Sequence, residues 1–164
     1  SPVMVLQNSF NLNEVLLSVL VGLEKKINDR GLDVDVQVPE EPIYARGDSD
    51  SITQVVYNLT DNAIKFSRPG TTLRVAEWKQ GDKVFVSVED TGETIPQEEL
   101  PLIFDRFHKS DHSRSMDKDG VGLGLYIVKT IINNHNGDIF VTSVDGVTTF
   151  VFSLKIKEEI QKKS

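Results

Sequence analysis

The chain has 164 residues, of which 38% are hydrophobic and 26% charged, a composition typical of one globular domain. Its net charge of -7 argues against nucleic acid as a partner, because binding a polyanion requires clustered Lys and Arg. The absence of cysteine excludes disulfides, zinc–thiolate sites and cysteine nucleophiles, and it is compatible with a reducing cytosol.

The apolar stretch 15–23 is much shorter than the roughly 20 residues that a membrane-spanning helix needs. The first residues carry no basic region of a signal peptide, and the start without Met suggests a fragment or a processed chain. We find no repeat and no linker. The chain is therefore expected to be one domain over residues 1–164, with its core at about 10–154.

Apolar residues recur at helical spacing from Leu12 to Ile27, after the good cap residues Asn11 and Asn13, and predict one first helix. Alternation then predicts a strand at 34–38 and a second at 43–45. The two strands are expected to form a hairpin across the segment 39–42.

Asp48 or Ser49 is expected to cap a second helix, which runs to Phe66. A second hairpin is predicted from strands 72–78 and 84–89, followed by a short helical segment at 98–107 and a loop at 108–119. A third helix at 123–134 and strands at 139–141 and 148–154 complete the chain. The predicted fold class is α+β: a two-layer α/β sandwich with a mixed, mainly antiparallel sheet of about five strands on three helices.

On the second helix, Asn58, Asn62 and Lys65 project from one face, opposite the apolar stripe. The alternative is an ordinary solvated helix face. Asn is, however, a poor residue inside a helix, and its amide oxygen suits a magnesium ion that already carries phosphates and water. Lys65 would then offset phosphate charge.

Asp90 closes a strand, and Thr91-Gly92 turns the chain after it. Taken alone, Asp-Thr-Gly is a good turn. In a cleft, the carboxylate would instead accept a hydrogen bond from the exocyclic amine of adenine, where guanine presents a carbonyl.

Gly120, Gly122 and Gly124 precede the third helix and would let backbone amides approach a phosphate at its positive end. A dinucleotide fold would need a strand directly before them, and a P-loop would need Gly-Lys-Ser/Thr. Neither pattern is present. The loop at 108–119 would close over bound phosphates as a lid, or it is a plain surface loop. The three histidines, His108, His112 and His135, are predicted to be lone surface residues.

In their order along the chain, the segments 58–66, 90–95 and 120–125, with 103–107 before the last, resemble the N, G1, F and G2 boxes of the sensor histidine kinase catalytic domain. The similarity covers about residues 10–154. The family lies in the GHKL superfamily with DNA gyrase and the MutL mismatch-repair proteins, and the resemblance implies the Bergerat ATP-binding fold.

The resemblance implies a role for each matching residue. Asn58 and Asn62 would be magnesium ligands, Lys65 would lie near the phosphates as a catalytic residue with Asn58, and Asp90 would bind adenine. The remaining cofactor-binding residues implied in this way are Phe66, Gly92, Ile95, Arg106, Lys109, Gly120, Gly122, Leu123, Gly124 and Leu125.

Three features refine the implied function. ATP-hydrolysing relatives place a Glu four residues before the magnesium Asn, where this chain has Asn58, and an amide is not a general base. The second G1 glycine is replaced by Thr94. No histidine here has the pattern of a phosphorylated helix, so the acceptor domain is absent from this chain.

The resemblance therefore implies a protein histidine kinase that transfers the γ-phosphate of Mg-ATP to a histidine on a separate dimerisation domain. The alternatives are a GHKL-type ATPase and a nucleotide-sensing docking module without kinase activity. The implied partners are the kinase's own dimerisation domain and, indirectly, a response regulator. The full-length protein is expected to be a homodimer that makes no direct membrane contact through this domain. The domain is expected in the cytoplasm, as the cytosolic end of a membrane-anchored sensor.

Overall fold

The computed structural model describes residues 5–105 and 124–156. They form a five-stranded sheet with helices packed on one face, and a separate two-stranded sheet. In chain order the elements are β1 (Ser9–Asn11), α1 (Leu12–Gly22), α2 (Glu24–Arg30), β2 (Asp33–Gln37), β3 (Tyr44–Arg46), α3 (Ser49–Phe66), β4 (Thr72–Gln80), β5 (Lys83–Thr91), a 3-10 turn (Leu100–Leu102), α4 (Gly124–Asn134), β6 (Ile139–Val144) and β7 (Val147–Lys155).

The large sheet has the strand order β2-β4-β5-β7-β6, in which β2 runs parallel to β4 and every other pair is antiparallel. The predicted α+β sandwich with a mixed, mainly antiparallel sheet is confirmed, and so are the β4–β5 and β6–β7 pairs. Alternate residues of the central strands face the helices and are almost fully buried, among them Val84, Val86, Val88, Phe150 and Phe152.

The first predicted helix is two helices, so the predicted number of three is wrong. Asn11 caps α1, accepting a hydrogen bond from the Glu14 amide at 3.1 Å, and α1 ends at Gly22. Leu23 leaves helical geometry, with φ -100° and ψ 4°, and its amide bonds back to the carbonyls of Val19 and Leu20. Because Leu23 is buried, the break turns α2 while both helices keep their contact with the core.

The predicted hairpin of β2 with β3 is also wrong. Strand β2 pairs with β4 and runs parallel to it, whereas β3 pairs with the short strand β1 in the second sheet. The buried Asn13 explains the separation, because its side chain donates to the carbonyls of Pro39 and Glu41 and accepts from the Ile43 amide at 3.0 Å. The connection is thus fastened to α1 and does not turn back on β2.

Helix α3 agrees with the prediction. Asp48 is its N-cap, and the stripe that includes Ile52, Val55, Val56 and Leu59 is fully buried. Within the described ranges, no helix is both long enough and apolar enough to cross a membrane.

The short helical segment predicted at 98–107 is only a 3-10 turn over Leu100–Leu102 in its described part. Pro101 lies in this turn and has no backbone N–H to donate, which favours a single tight turn over a longer helix.

Candidate functional site

The polar face of α3 contacts the beginning of α4. Asn58, Asn62 and Lys65 are all half-buried and lie away from the fully buried stripe of the same helix. The Asn58 side-chain amide donates to the Gly124 carbonyl at 3.4 Å, although 66 residues separate the two along the chain. Helix α3 and Gly124, the last glycine of the glycine-rich segment, are therefore adjacent, and the Asn58 amide oxygen takes no part in this bond.

The Lys65 ammonium lies 3.3 Å from the Asp61 carboxylate, one helical turn earlier. Asp61 also binds Lys26 of α2 at 3.0 Å, and this hydrogen bond raises the pKa of Lys26. Lys65 is 42% exposed, so its ion pair is solvent-screened and can exchange for another anion. The sequence interpretation missed both ion pairs of Asp61. The pair with Lys65 could have been predicted from its i,i+4 spacing on the helix, whereas the pair with Lys26 depends on the packing of α2 against α3.

The end of α3 is joined to the end of β5. A Cβ on Gly92 would overlap the Phe66 carbonyl oxygen, so only glycine allows this backbone approach. The Arg68 amide donates to the Thr91 carbonyl at 2.8 Å, and Ser67 and Gly92 form a β-bridge. These contacts bring the Asn62–Phe66 end of the helix beside Asp90.

Asp90 is 3% exposed and lies on the helix-facing side of the sheet, opposite Thr148 in the β5–β7 register. Burial, with a smaller contribution from the neighbouring Glu89 carboxylate, raises its pKa to about 7. Among the described residues, no hydrogen bond to this carboxylate contributes to the shift. The side chain is a buried acceptor that lacks a protein donor within the described ranges.

The segment after β5 rests on the β6–β7 hairpin. The Ile95 amide donates to the Ser143 hydroxyl at 2.7 Å, and this hydroxyl lies 2.8 Å from that of Thr148. Ser143 and Thr148 are both buried, so Asp90, Thr148 and Ser143 form a polar row across the edge of a mainly apolar face. These two hydroxyls are neighbours of the site that the sequence interpretation did not find.

The described residues contain only part of the predicted phosphate side. Gly124 is exposed, and a Cβ there would meet no atom of the described residues within 4 Å, so none of those residues requires glycine at this position. Leu125 is half-buried and packs against the core. Arg106, Lys109, Gly120, Gly122 and Leu123, and the predicted lid at 108–119, lie outside the described residues.

His135 is not a surface residue, contrary to the prediction, since it is only 2% exposed. Its Nε2 accepts from the Asp48 amide at 3.0 Å, and its Nδ1 lies 2.8 Å from the Ile131 carbonyl, to which it donates. The ring thus connects the end of α4 to the first turn of α3. His108 and His112 lie outside the described residues.

The described part of the site fits a magnesium-bearing nucleotide better than a free metal ion. No group of three or more His, Cys, Asp or Glu side chains suited to a metal occurs in the described ranges. The neutral oxygens of Asn58 and Asn62 would need phosphate oxygens to complete a magnesium shell. The buried acceptor Asp90, next to the C-terminal end of α3, fits an amine donor.

Comparison with known proteins identifies the family. Residues 47–158 match the family described as histidine kinase-, DNA gyrase B-, and HSP90-like ATPase. The sensor histidine kinase WalK of Bacillus subtilis is 33% identical over 146 residues, which are 87% of this chain and 24% of WalK. This chain therefore spans about a quarter of that relative's length.

Solved structures agree with this match. The nucleotide-free catalytic domain of the histidine kinase ThkA superposes with a TM-score of 0.80 at 31% identity, covering 90% of this chain and 94% of that domain. A complex of ThkA with the response regulator protein TrrA matches at 29% identity with a TM-score of 0.76, covering 92% of this chain and 42% of that one. The chain thus belongs to the histidine kinase-, DNA gyrase B- and HSP90-like ATPase family, and within it to the catalytic domains of the sensor histidine kinases.

Proposed function

We propose that this domain binds Mg-ATP between α3 and α4 and transfers the γ-phosphate to a histidine of a separate dimerisation domain. The observation that carries the proposal is the buried carboxylate of Asp90, for which the described residues supply no hydrogen-bond donor, beside the Gly92–Phe66 backbone contact. A buried carboxylate without a donor is costly, and the exocyclic amine of adenine would supply the missing hydrogen bond. The nucleotide-binding family supports the same assignment.

The chain's own residues would position the nucleotide along the C-terminal half of α3. Asp90, Gly92 and Ile95 would hold the base, with Phe66 beside it. About one and two turns before Phe66, Asn62 and Asn58 would hold Mg²⁺, whose chemistry when bound is to neutralise phosphate charge. The phosphate contacts would be completed by Gly124 with Leu125 and by the further predicted residues Arg106, Lys109, Gly120, Gly122 and Leu123.

Lys65 would change partner when nucleotide binds. Its ammonium is paired with Asp61, and a triphosphate carries more negative charge than one carboxylate. Asp61 would retain Lys26 as its counterion, so moving Lys65 leaves no uncompensated charge in the half-buried cluster. Transfer would then depend on positioning and charge neutralisation, without a covalent step on this domain.

The amide of Asn58 favours transfer over hydrolysis, because it cannot activate water as a general base. The proposed acceptor is the kinase's own dimerisation domain, and a response regulator would receive the phosphate afterwards. The ThkA–TrrA complex supports a response regulator as partner. We place this domain in the cytoplasm as part of a membrane-anchored homodimer.

The test is phosphotransfer from radiolabelled ATP to an added dimerisation domain of a similar sensor kinase. We expect acid-labile phosphate on that domain, and we expect Asn62→Ala to abolish it because a magnesium ligand is lost. Asp50→Asn, in the exposed first turn of the same helix, is the control. Bound nucleotide without transfer to any acceptor would contradict the kinase proposal. If nucleotide is hydrolysed instead, and hydrolysis collapses in Asn58→Ala, the ATPase alternative would replace it.

A further inference from the structure

The loop that follows β5 is fastened to the β6–β7 turn by hydrogen bonds. The Gly92 amide donates to the Gly146 carbonyl, and the Gly146 amide donates to the Thr94 hydroxyl, each at 2.7 Å. The Ile95 amide binds the Ser143 hydroxyl, and the Gln97 side-chain amide binds the Ser143 carbonyl at 3.1 Å. The loop 92–97 and the turn are therefore one hydrogen-bonded unit.

Gly146 is held from both sides in this unit. Its φ of +80° favours glycine, and a Cβ there would lie 2.8 Å from the Gly92 carbonyl oxygen. Its carbonyl and its amide both bind the loop, two residues apart, at Gly92 and Thr94. The turn and the loop thus constrain each other through a reciprocal pair of bonds.

The Thr94 bond is the one that depends on this chain's departure from the G1 pattern. A glycine at position 94 has no hydroxyl, so the Gly146 amide would lose this acceptor. Glycine would also widen the conformational freedom of the loop. The same loop leads directly from Asp90, so its conformation decides where the base can lie.

We propose that Thr94 is a positioning residue, whose hydroxyl holds the loop 92–97 through Gly146 in the conformation that accepts the adenine of ATP. This inference rests on the function proposed above. On this basis the Thr94 side chain favours nucleotide binding and does not block the base sterically. Replacing it with the family's glycine weakens nucleotide binding, because the loop loses its bond to Gly146.

Three substitutions separate a hydroxyl effect from a steric one. Thr94→Ser keeps the hydroxyl, Thr94→Val keeps the branched shape without it, and Thr94→Gly removes both. We expect the Thr94→Ser variant to bind nucleotide within about twofold of the wild-type affinity. The Thr94→Val and Thr94→Gly variants should bind about three- to tenfold more weakly, which corresponds to the net free energy of one hydrogen bond. If Thr94 were an obstacle, Gly and Ser would bind more tightly and Val would match wild type.

Two measurements test the proposal. Calorimetry with the β,γ-imido analogue of ATP and Mg²⁺ gives the affinity of each variant. Amide hydrogen exchange of Gly146 in the nucleotide-free protein reports the bond directly, and we expect faster exchange in Val and Gly but not in Ser. Asn62→Ala is the control that should abolish binding while leaving the Gly146 exchange unchanged.

Tighter binding in Thr94→Gly than in wild type would overturn the proposal, and so would equal binding of all four proteins. If wild type fails to bind the analogue at all, the proposed function is wrong. The order of the Gly146 amide exchange rates among the variants then still decides whether Thr94 holds the loop, because these rates are measured without nucleotide.

Discussion

Among the described residues, two buried acidic side chains face the helix layer from the sheet, and only one of them lies at the candidate site. Asp90 lies at the end of β5 beside the candidate adenine position. Glu77 of β4 is 4% exposed and both of its carboxylate oxygens lack a partner in the described residues. Burial raises the pKa of Glu77 to about 7, so the folded state favours its neutral form.

The pH dependence of stability follows from this shift. In the unfolded chain the pKa of Glu77 is near 4.5, so between about pH 4.5 and 7 the folded state holds more protons than the unfolded state. Stability from this group is therefore present at low pH and is lost as the pH rises through about 7.

We expect Glu77→Gln to raise the free energy of unfolding at pH 8 by about 1 to 3 kcal/mol, because the amide cannot ionise in the core. The gain should shrink at pH 5, where the wild-type carboxyl is already neutral. Urea unfolding at both pH values measures the difference, with the exposed Glu40→Gln as the control. A variant less stable than wild type at pH 8 would show that the carboxylate has a partner in solution.

At the level of elements, α3 is held at both of its ends by distant parts of the chain. Its C-terminal end contacts Gly92, and its first turn receives the buried ring of His135 at Asp48. Gly47, with φ +146°, packs directly against that ring, where any Cβ would overlap it. The orientation of α3 relative to α4 therefore depends on His135.

We expect His135→Phe to lower the free energy of unfolding by about 1 to 3 kcal/mol, because the Asp48 amide would stay buried without its acceptor. The ring volume is nearly preserved, so the loss reports the hydrogen bonds more than packing. The exposed Asn134→Ala on the same helix end is the control. The assignment fails if denaturant unfolding finds the Phe variant as stable as wild type.

At the scale of the whole molecule, the candidate site lowers the free energy of unfolding, because it holds a buried carboxyl group. Above about pH 7 the buried Asp90 carboxyl is ionised, which destabilises the nucleotide-free protein. The proposed function nevertheless requires this carboxylate as a hydrogen-bond acceptor. Binding of nucleotide to the folded state alone then restores stability by mass action, by about 2.7 kcal/mol when the ligand is at 100 times its dissociation constant.

We therefore expect Asp90→Asn to melt at a higher temperature than wild type at pH 8 without nucleotide, and to lose most of the rise that Mg-ATP produces in wild type. Thermal melting with and without Mg-ATP tests both halves, and the exposed Asp82→Asn controls for net charge. An undiminished nucleotide shift in Asp90→Asn would remove Asp90 from the site.

Local patterns in the sequence were sufficient for much of this protein. Helical periodicity and the Asp48 cap located α3, and alternation located the strands of both adjacent hairpins, because these features depend on neighbours in the chain. The order of Asn58, Asp90 and the glycine-rich segment indicated a nucleotide site and the correct family. The break at Leu23 escaped prediction because Leu23 stays buried on the same apolar face.

Only the tertiary structure decided which distant groups meet. It paired β2 with β4 and β3 with β1, where the sequence favoured a local hairpin, because a buried Asn13 binds the connection. It joined Thr94 to Gly146 and His135 to Asp48 across 52 and 87 residues. Local propensity carries no information on such partners, since long-range contacts are selected by packing of the whole core. The sequence by itself thus determined the residue types of the nucleotide site, and the fold decided what holds them in place.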